Sequence, residues 1–358
     1  MTPPRILIVR LSAIGDVLHA LPVLDALRRA LPEARIGWLV EETSAPFLEG
    51  HPQLDTLYAI PRKRWRGRSF LRSFRGEVVP YFRRVRADGW DAALDLQGLA
   101  KSAMAARASG APRRVAFAGA LAREMSGLLA TDRVAPGPEE AHVVRKNLAL
   151  LRALGVEPPP DARGRLPLRP EERDKAAQSL RAAGWRGEPL AGLNLGAGWA
   201  TKRWSPAAFA ALGRLLRERH GLRPVVIWGP KEEAWRDECL AGLEGAEGFA
   251  APPTTLRELA AVVSLLDLFV GGDTGPTHLA ALLDVPTVAV FGASDPLRNG
   301  PWPPENAVVA ARSGLACMPC WKTRCPLAEP EHLGCLRGLA PEAVADAAAE
   351  ILARMARR

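Results

Sequence analysis

The stretch LFVGGDTGPTHLAALLDVPTVAVFG, residues 268–292, decides the fold. An apolar run ends at Val270 and a glycine-containing turn follows. A helix starts near Pro276, and a second apolar run covers 286–291. Proline suits the first helical position, because the N–H it lacks would have no partner inside the helix. Two short, fully apolar strands joined by a helix read as a parallel crossover unit, buried on both faces of its sheet.

The same alternation runs outward in both directions. Ile6–Val9 reads as a strand and Leu11–Gly15 as a turn. Val17–Leu31 reads as a helix, with apolar residues at Val17, Leu18, Leu21, Leu24, Leu27 and Leu31, ended by Pro32. Strand signals recur at Ile36–Val40, Thr56–Ile60, Ala92–Leu96 and Arg114–Phe117. The segment VEPPPDARGRLPLRP, residues 156–170, is rich in proline and reads as a linker. Beyond it come a helix at 171–184, a strand at 190–195, a helix at 205–219, a strand at 224–228, and helices at 231–242 and 255–264. Pro341–Met355 is one more amphipathic helix. This predicts an α/β protein of two tandem domains with parallel sheets, residues 1–165 and 166–340, followed by a terminal helix, 341–358.

Composition narrows the function classes. The 358 residues are 48% hydrophobic and 24% charged, enough for real cores. No uncharged apolar run reaches the ~18–20 residues that span a bilayer. The N-terminus, MTPPRILIVRLSAIGD, interrupts each short apolar stretch with a charge, so no secretory signal is expected. Five cysteines in a chain of this length suit a reducing cytoplasm better than a disulfide scaffold.

The net charge of +9 is one-sided. Residues 1–165 carry 26 basic and 17 acidic side chains, whereas residues 166–358 carry 22 of each. Within 62–86 there are ten basic residues and one acid, Glu77. Such a patch predicts a polyanionic partner (nucleic acid, anionic membrane or phosphorylated substrate) unless it is merely a solvated face.

Four motifs can carry chemistry. In the opening stretch, Gly271, Gly272 and Gly275 allow close approach of a ligand, and Asp273 or Thr274 can cap the helix. A helix start of this kind binds phosphate, and His278 lies in its first turn. NLGAGWATKRWSP, residues 194–206, is a second strand-to-helix loop, where Thr201, Lys202 and Arg203 supply a hydroxyl and two cations. A cation there can neutralise a pyrophosphate leaving group; the plain alternative is a basic surface loop. In RLSAIGDVLHALP, residues 10–22, Asp16 stands where the first strand becomes the first helix. It is a candidate general base and equally a helix N-cap. Last, Cys317, Cys320, Cys325 and Cys335 are spaced x2, x4 and x9. They are candidate metal ligands, although a zinc ribbon would pair its second two closely, and they can simply pack a loop. Cys239 stands alone and reads as buried.

Absences matter as well. There is no GxxxxGK[ST] loop, no HExxH, no GxSxG and no GxGxxG after the first strand. No Asp-x-Asp pair holds a divalent ion on a diphosphate, so no obligatory metal cofactor is expected.

These residues resemble a known family. RILIVRLSAIGDVLHALPVLDALRRALPEARIGWLVEE, GGDTGPTHLAALLDVPTVAVFG and GAGWATKRW are similar to the bacterial lipopolysaccharide heptosyltransferases, glycosyltransferase family 9. PRKRWRG, residues 61–67, and WDAALDLQGLAKSA, residues 90–103, look most like the heptosyltransferase I branch. The clustered cysteines depart from that branch and look more like a feature of others.

The resemblance implies a GT-B architecture: two Rossmann-like domains, with the terminal helix returning to the first. It implies an inverting transfer of L-glycero-D-manno-heptose from ADP-heptose to the Kdo or inner-core region of lipopolysaccharide. Asp16 matches the family's base and Lys202 the lysine near the donor phosphates. Thr201, Asp273, Thr274, Gly275 and His278 match the donor site, and Glu233 falls where a ribose-binding glutamate is expected. Arg64, Arg66 and Arg123 look like contacts to acceptor anions. The implied place is cytoplasmic and peripheral on the inner face of the inner membrane, with no nucleic acid bound. Two rivals remain: another GT-B transferase or epimerase acting on nucleotide-sugars, and a nucleic-acid-binding protein using residues 62–86.

Overall fold

The computed structural model describes residues 2–66, 74–312 and 314–357; the side chains of Arg66 and Phe74 lie outside the described set. The chain divides into two units, Met1–Pro167 and Leu168–Arg358.

The principal elements of the first unit are β1 (Arg5–Val9), α1 (Ile14–Leu18), α2 (Leu21–Ala30), β2 (Arg35–Glu41), β3 (Thr56–Ile60), α3 (Arg62–Arg66), α4 (Val79–Ala87), β4 (Ala92–Asp95), α5 (Ala100–Ala108), β5 (Arg113–Phe117), β6 (Asp132–Val134) and α6 (Val143–Ala149). The second unit holds α7 (Pro170–Ala182), β7 (Leu190–Asn194), α8 (Pro206–His220), β8 (Arg223–Ile227), α9 (Glu233–Ala241), β9 (Phe249–Ala250), α10 (Leu256–Val263), β10 (Leu268–Gly272), α11 (Gly275–Leu282), β11 (Thr287–Phe291), α12 (Pro296–Asn299), β12 (Ala307–Ala311), α13 (Gly334–Arg337) and α14 (Pro341–Met355).

Both sheets are parallel, six-stranded and wound the same way. The first runs β3-β2-β1-β4-β5-β6 and the second β12-β11-β10-β7-β8-β9. Counted from each unit's own first strand, these are one order read from opposite ends. In each, the winding reverses beside the first strand, between β1 and β4 and between β7 and β10. Ligands of doubly wound sheets bind outside the carboxyl ends of the strands at such a reversal. There Val9 lies opposite Asp95, and Asn194 opposite Gly271. The three strand ends that carry site motifs, those of β1, β7 and β10, therefore fall at the two reversal points.

Three expectations change. The helix read over Val17–Leu31 is two helices, α1 and α2, broken at His19–Ala20. Pro22 explains the break: inside one continuous helix it would lack the N–H for the Leu18 carbonyl and clash with it. As the second residue of α2 it is harmless. The edge strands β6, β9 and β12 were not foreseen, the first two being too short to show a period. Third, α14 is part of the second unit's core, a packing the sequence did not reveal. Val344, Ala345, Ala348 and Ile351 are buried in one cluster with Phe209 of α8, Val288 and Val290 of β11 and Ala310 of β12. Arg219 of α8 pairs with Asp346 at 3.0 Å, and Arg354 donates to the Ala307 carbonyl.

Among the described residues no helix is long and apolar enough to cross a membrane.

Candidate active site

In the second unit, a buried carboxylate gathers the donor-motif side chains. Asp273 follows β10 directly and is 5% exposed. Its Oδ2 accepts from Lys202 Nζ at 2.5 Å and from Ser294 Oγ at 2.6 Å. Its Oδ1 lies 3.1 Å from His278 Nε2. Burial by itself would raise the Asp273 carboxyl. The His278 hydrogen bond and charge, together with the Lys202 ammonium, outweigh burial and hold it well below the usual carboxylate range. Lys202 also stands over the Trp199 ring, 4.5 Å from its centre.

Two glycines put Lys202 there. The loop around residues 200–203 passes so close to two strand ends that side chains there would not fit. A Cβ on Gly272 would strike the Lys202 carbonyl, and one on Gly292 would lie 2.9 Å from the Thr201 carbonyl. The Thr201 hydroxyl is buried and donates to the Lys322 carbonyl at 2.5 Å. Trp321 N–H in turn donates to the Ala293 carbonyl at 2.9 Å. Thr201 therefore braces the loop, and its hydroxyl is not presented to a ligand as its motif position suggests.

The start of α11 offers fewer N–H groups than its motif promises. Pro276 has none, and the N–H groups of Thr277 and His278 turn back to the Thr274 carbonyl at 3.1 and 3.2 Å. Gly275 is the first residue of the helix, with Thr274 at the cap. The Thr274 hydroxyl is 3.4 Å from Asn194 Nδ2 and 3.4 Å from the Thr277 hydroxyl. With so few amides available, Lys202 is the main positive charge at this strand end. Glu233 is exposed at the first position of α9. Its neighbour Glu232 is the one that turns toward this loop: it accepts from Gly229 N–H at 2.8 Å, and a Cβ on Gly196 would collide with its carboxylate.

In the first unit, Asp16 sits at the β1 end. It is the third residue of α1 rather than the cap, and its Oδ2 reaches back to accept from Ala13 N–H at 3.2 Å. Arg10, almost fully buried, pairs with Oδ1 at 2.8 Å, while the Asp16 side chain stays 40% exposed. Its carboxylate is thus oriented by two contacts and open to solvent, a geometry suited to accepting a proton from a ligand.

Sequence reasoning missed the supports of this site. Asp95, at the β4 end, accepts from Gln97 N–H, Gly98 N–H and Ser102 Oγ, which shape the turn into α5. Burial raises its carboxyl, opposed by those donors and by Arg10. Gln97 Oε1 accepts from Leu11 N–H at 3.1 Å, so the β4–α5 turn holds the loop that carries Asp16. Lys101 donates to Ser12 Oγ at 2.7 Å and to Glu41 Oε1 at 2.9 Å. The only advance signal was that Asp95, Gln97, Lys101 and Ser102 lie within WDAALDLQGLAKSA.

The three basic candidates are less alike than they read. Arg64 is exposed and pairs with Glu77 at 2.9 Å, so the one acid of the basic stretch is engaged by it. Arg123 is exposed, with its N–H bound to the Gly98 carbonyl at 3.0 Å. The side chain of Arg66 lies outside the described residues.

The four clustered cysteines are free thiols, Cys317 exposed and the others half-buried. Burial and the neighbouring Cys317, Cys320 and Cys325 push Cys335 up. Leu333 N–H donates to Cys325 Sγ at 3.4 Å. Among the described residues no group of three or more His, Cys, Asp or Glu side chains is arranged to hold a metal ion. Cys239 is fully buried, and burial pushes its thiol up to about 12.

Comparison with known proteins follows the same lines. A family model described as glycosyltransferase family 9 (heptosyltransferase) matches residues 78–330. Lipopolysaccharide heptosyltransferase 1 of Pseudomonas aeruginosa is 31% identical over 322 residues, covering 90% of this chain and 87% of that protein. The enzyme of the same name from Salmonella typhimurium is 30% identical over 294 residues, covering 82% and 89%. The E. coli heptosyltransferase WaaC, solved with ADP, matches with a TM-score of 0.75 at 25% identity over 97% of this chain and 99% of that one. With two identically wound units of the GT-B fold class and matches of this extent, the chain belongs to glycosyltransferase family 9, the heptosyltransferases, and is a glycosyltransferase.

Proposed function

We propose that the protein transfers L-glycero-D-manno-heptose from ADP-heptose to the Kdo or inner-core region of lipopolysaccharide, with inversion at the anomeric carbon. The observation that carries this is the Asp273 cluster, in which one buried carboxylate fixes Lys202, His278 and Ser294 at the reversal point of the second sheet. Relatives named lipopolysaccharide heptosyltransferase 1 support the substrate class, as does a WaaC structure solved with ADP-2-deoxy-2-fluoro heptose.

In this reading the second unit holds the donor. Lys202 and Gly275 N–H meet the diphosphate, and Asp273, Thr274 and His278 meet the sugar side. Glu232 or Glu233 reaches the ribose. As the bond to the anomeric carbon breaks, negative charge grows on the ADP oxygen. Lys202, already fixed by Asp273, stabilises that charge without reorganising. Asp16 takes the proton of the acceptor hydroxyl as it attacks. Arg64, Arg66 and Arg123 bind acceptor carboxylates or phosphates, which guanidinium groups grip through paired hydrogen bonds. The scheme calls for no obligatory divalent cation, and activity is expected to persist in EDTA. The basic first half, net-neutral second half and membrane-borne acceptor class support a peripheral position on the cytoplasmic face of the inner membrane, without nucleic acid.

The test is ADP release from ADP-heptose with a Kdo-terminated acceptor, against UDP-sugars and acceptor-free controls. Acceptor-dependent release from ADP-heptose alone is the expected result. Release from a UDP-sugar, or a salt-sensitive shift of DNA without donor turnover, would replace this reading.

A further inference from the structure

Resting on the lipid-linked acceptor proposed above, we propose that the first unit holds a pocket for one of that acceptor's fatty acyl chains. A cavity of ≈ 530 Å³ opens among α3, α4, α5 and the end of β3. That size is usual for a small-molecule pocket, about 300–1,000 Å³. Its walls are apolar: Ile60, Trp65, Val79, Phe82, Met104 and Ala108. Met104 is 57% exposed, a large apolar side chain held at the surface beside the cavity. Nothing in the transfer chemistry uses these walls.

The rim carries the opposite character. Arg62, Arg83, Arg86 and Lys101 line the same cavity, with Glu41 as the one carboxylate among the described residues. Glu41 accepts from both Arg62, at 2.7 Å, and Lys101, at 2.9 Å. Arg83 and Arg86 are exposed and have no carboxylate in ion-pair range among the described residues. Four cations and one anion leave the rim strongly positive around an apolar interior. An anionic amphiphile complements both parts at once: chain inside, phosphate or carboxylate at the rim. The acceptor proposed for this enzyme is such an amphiphile, and Lys101 ties the pocket wall to Ser12, in the loop that carries Asp16.

The test begins with direct binding. Octyl and decyl phosphate, below their micelle concentrations, are titrated calorimetrically into the full chain. Each buried methylene is expected to strengthen binding about fourfold, so the two probes should differ by roughly fifteenfold. Inorganic phosphate and uncharged decyl maltoside should bind far more weakly. Ala108→Trp, which fills the cavity, and Met104→Asp, which sets a carboxylate at a surface position beside it, should each weaken decyl phosphate at least tenfold. A thermal melt checks that each variant is folded. Both variants should raise the KM of an acylated acceptor and leave the KM of a de-acylated acceptor and of ADP-heptose within twofold. Equal binding of octyl and decyl phosphate, or unchanged binding in both variants, overturns the pocket. Weaker binding to phosphatidylglycerol vesicles with an unchanged ratio of acylated to de-acylated KM assigns the pocket to bulk lipid and overturns the acceptor as its source. Failure of the wild-type protein to transfer heptose even to the de-acylated acceptor would refute the transfer reading itself, and is read before any variant.

Discussion

Asp16 and Lys202 are fixed by partners that the reaction needs for different reasons. Asp16 keeps its carboxylate partly open while Arg10 and Ala13 N–H orient it. Asp16→Ala is therefore expected to lower turnover by about 10²–10⁴-fold, the usual contribution of a general base, with ADP-heptose affinity nearly unchanged by calorimetry. Normal turnover would leave Asp16 as a helix-start residue only. Lys202→Ala should lower kcat by about 10²–10³-fold and donor affinity much less, because its charge counts most when the leaving oxygen becomes negative. Asp273→Ala should instead weaken donor binding, since it frees Lys202, His278 and Ser294 together. Asp273, Lys202 and His278 were legible because loops at strand ends display few residue types and these three are chemically conspicuous. Arg10, Ser294 and Glu232 were not. A buried arginine looks like any other arginine until the strand beside it is known, and Ser294 matters only because β11 ends next to β10. Thr201 misled for the converse reason: its hydroxyl is consumed by a carbonyl 121 positions later.

The alternation of strands and helices was readable because both faces of each sheet are covered, so central strands are unbroken apolar runs. What failed was local punctuation. Pro22 was hidden inside a convincing apolar stripe, although proline tolerates only the first turn of a helix. Between elements, the contacts at strand ends are the demanding ones. Gly272→Ala would drive a Cβ into the Lys202 carbonyl, a main-chain atom that cannot swing away. The expected cost is about 1–3 kcal/mol in stability, measured by urea unfolding, with kcat reduced more than donor affinity. Elsewhere a carboxylate joins two helices. Glu172 of α7 accepts from Arg257 of α10 at 2.7 and 2.9 Å. The Arg257 hydrogen bonds outweigh burial and, with Arg169, lower its carboxyl from 4.5 to about 2. The folded state thus binds this proton more weakly than the unfolded chain does. The stabilisation is complete above 4.5 and is lost as pH falls through about 2. The stability gap between wild type and Glu172→Gln should shrink over that interval; a constant gap would deny the linkage.

Across the molecule, charge and packing divide at the same place in the chain. The basic excess lies before the linker, and the second unit is electrically balanced. Reversing Arg64 and Arg66 to Glu should raise acceptor KM strongly and barely move donor KM. Wild-type acceptor KM should rise with salt, because exposed charges are screened beyond about 8 Å at physiological ionic strength. Equal shifts for both substrates would reduce the stretch to a solvated face. The domain plan was legible from the prolines of 156–170, but the placement of the last helix was not, since an amphipathic stripe says that a helix is covered and not by what. That placement bears on recombination. Ile351 and its neighbours complete the core packed on β10 and β11, so residues 168–358 should behave as one transplantable cassette. Expressed alone, they should still bind ADP, and a stop codon after residue 340 should abolish that binding. In a chimera that joins residues 1–167 to a relative's second half, the crossover must bring the relative's own terminal helix with it. Grafting this chain's helix onto foreign strands would leave both sides of the core mismatched.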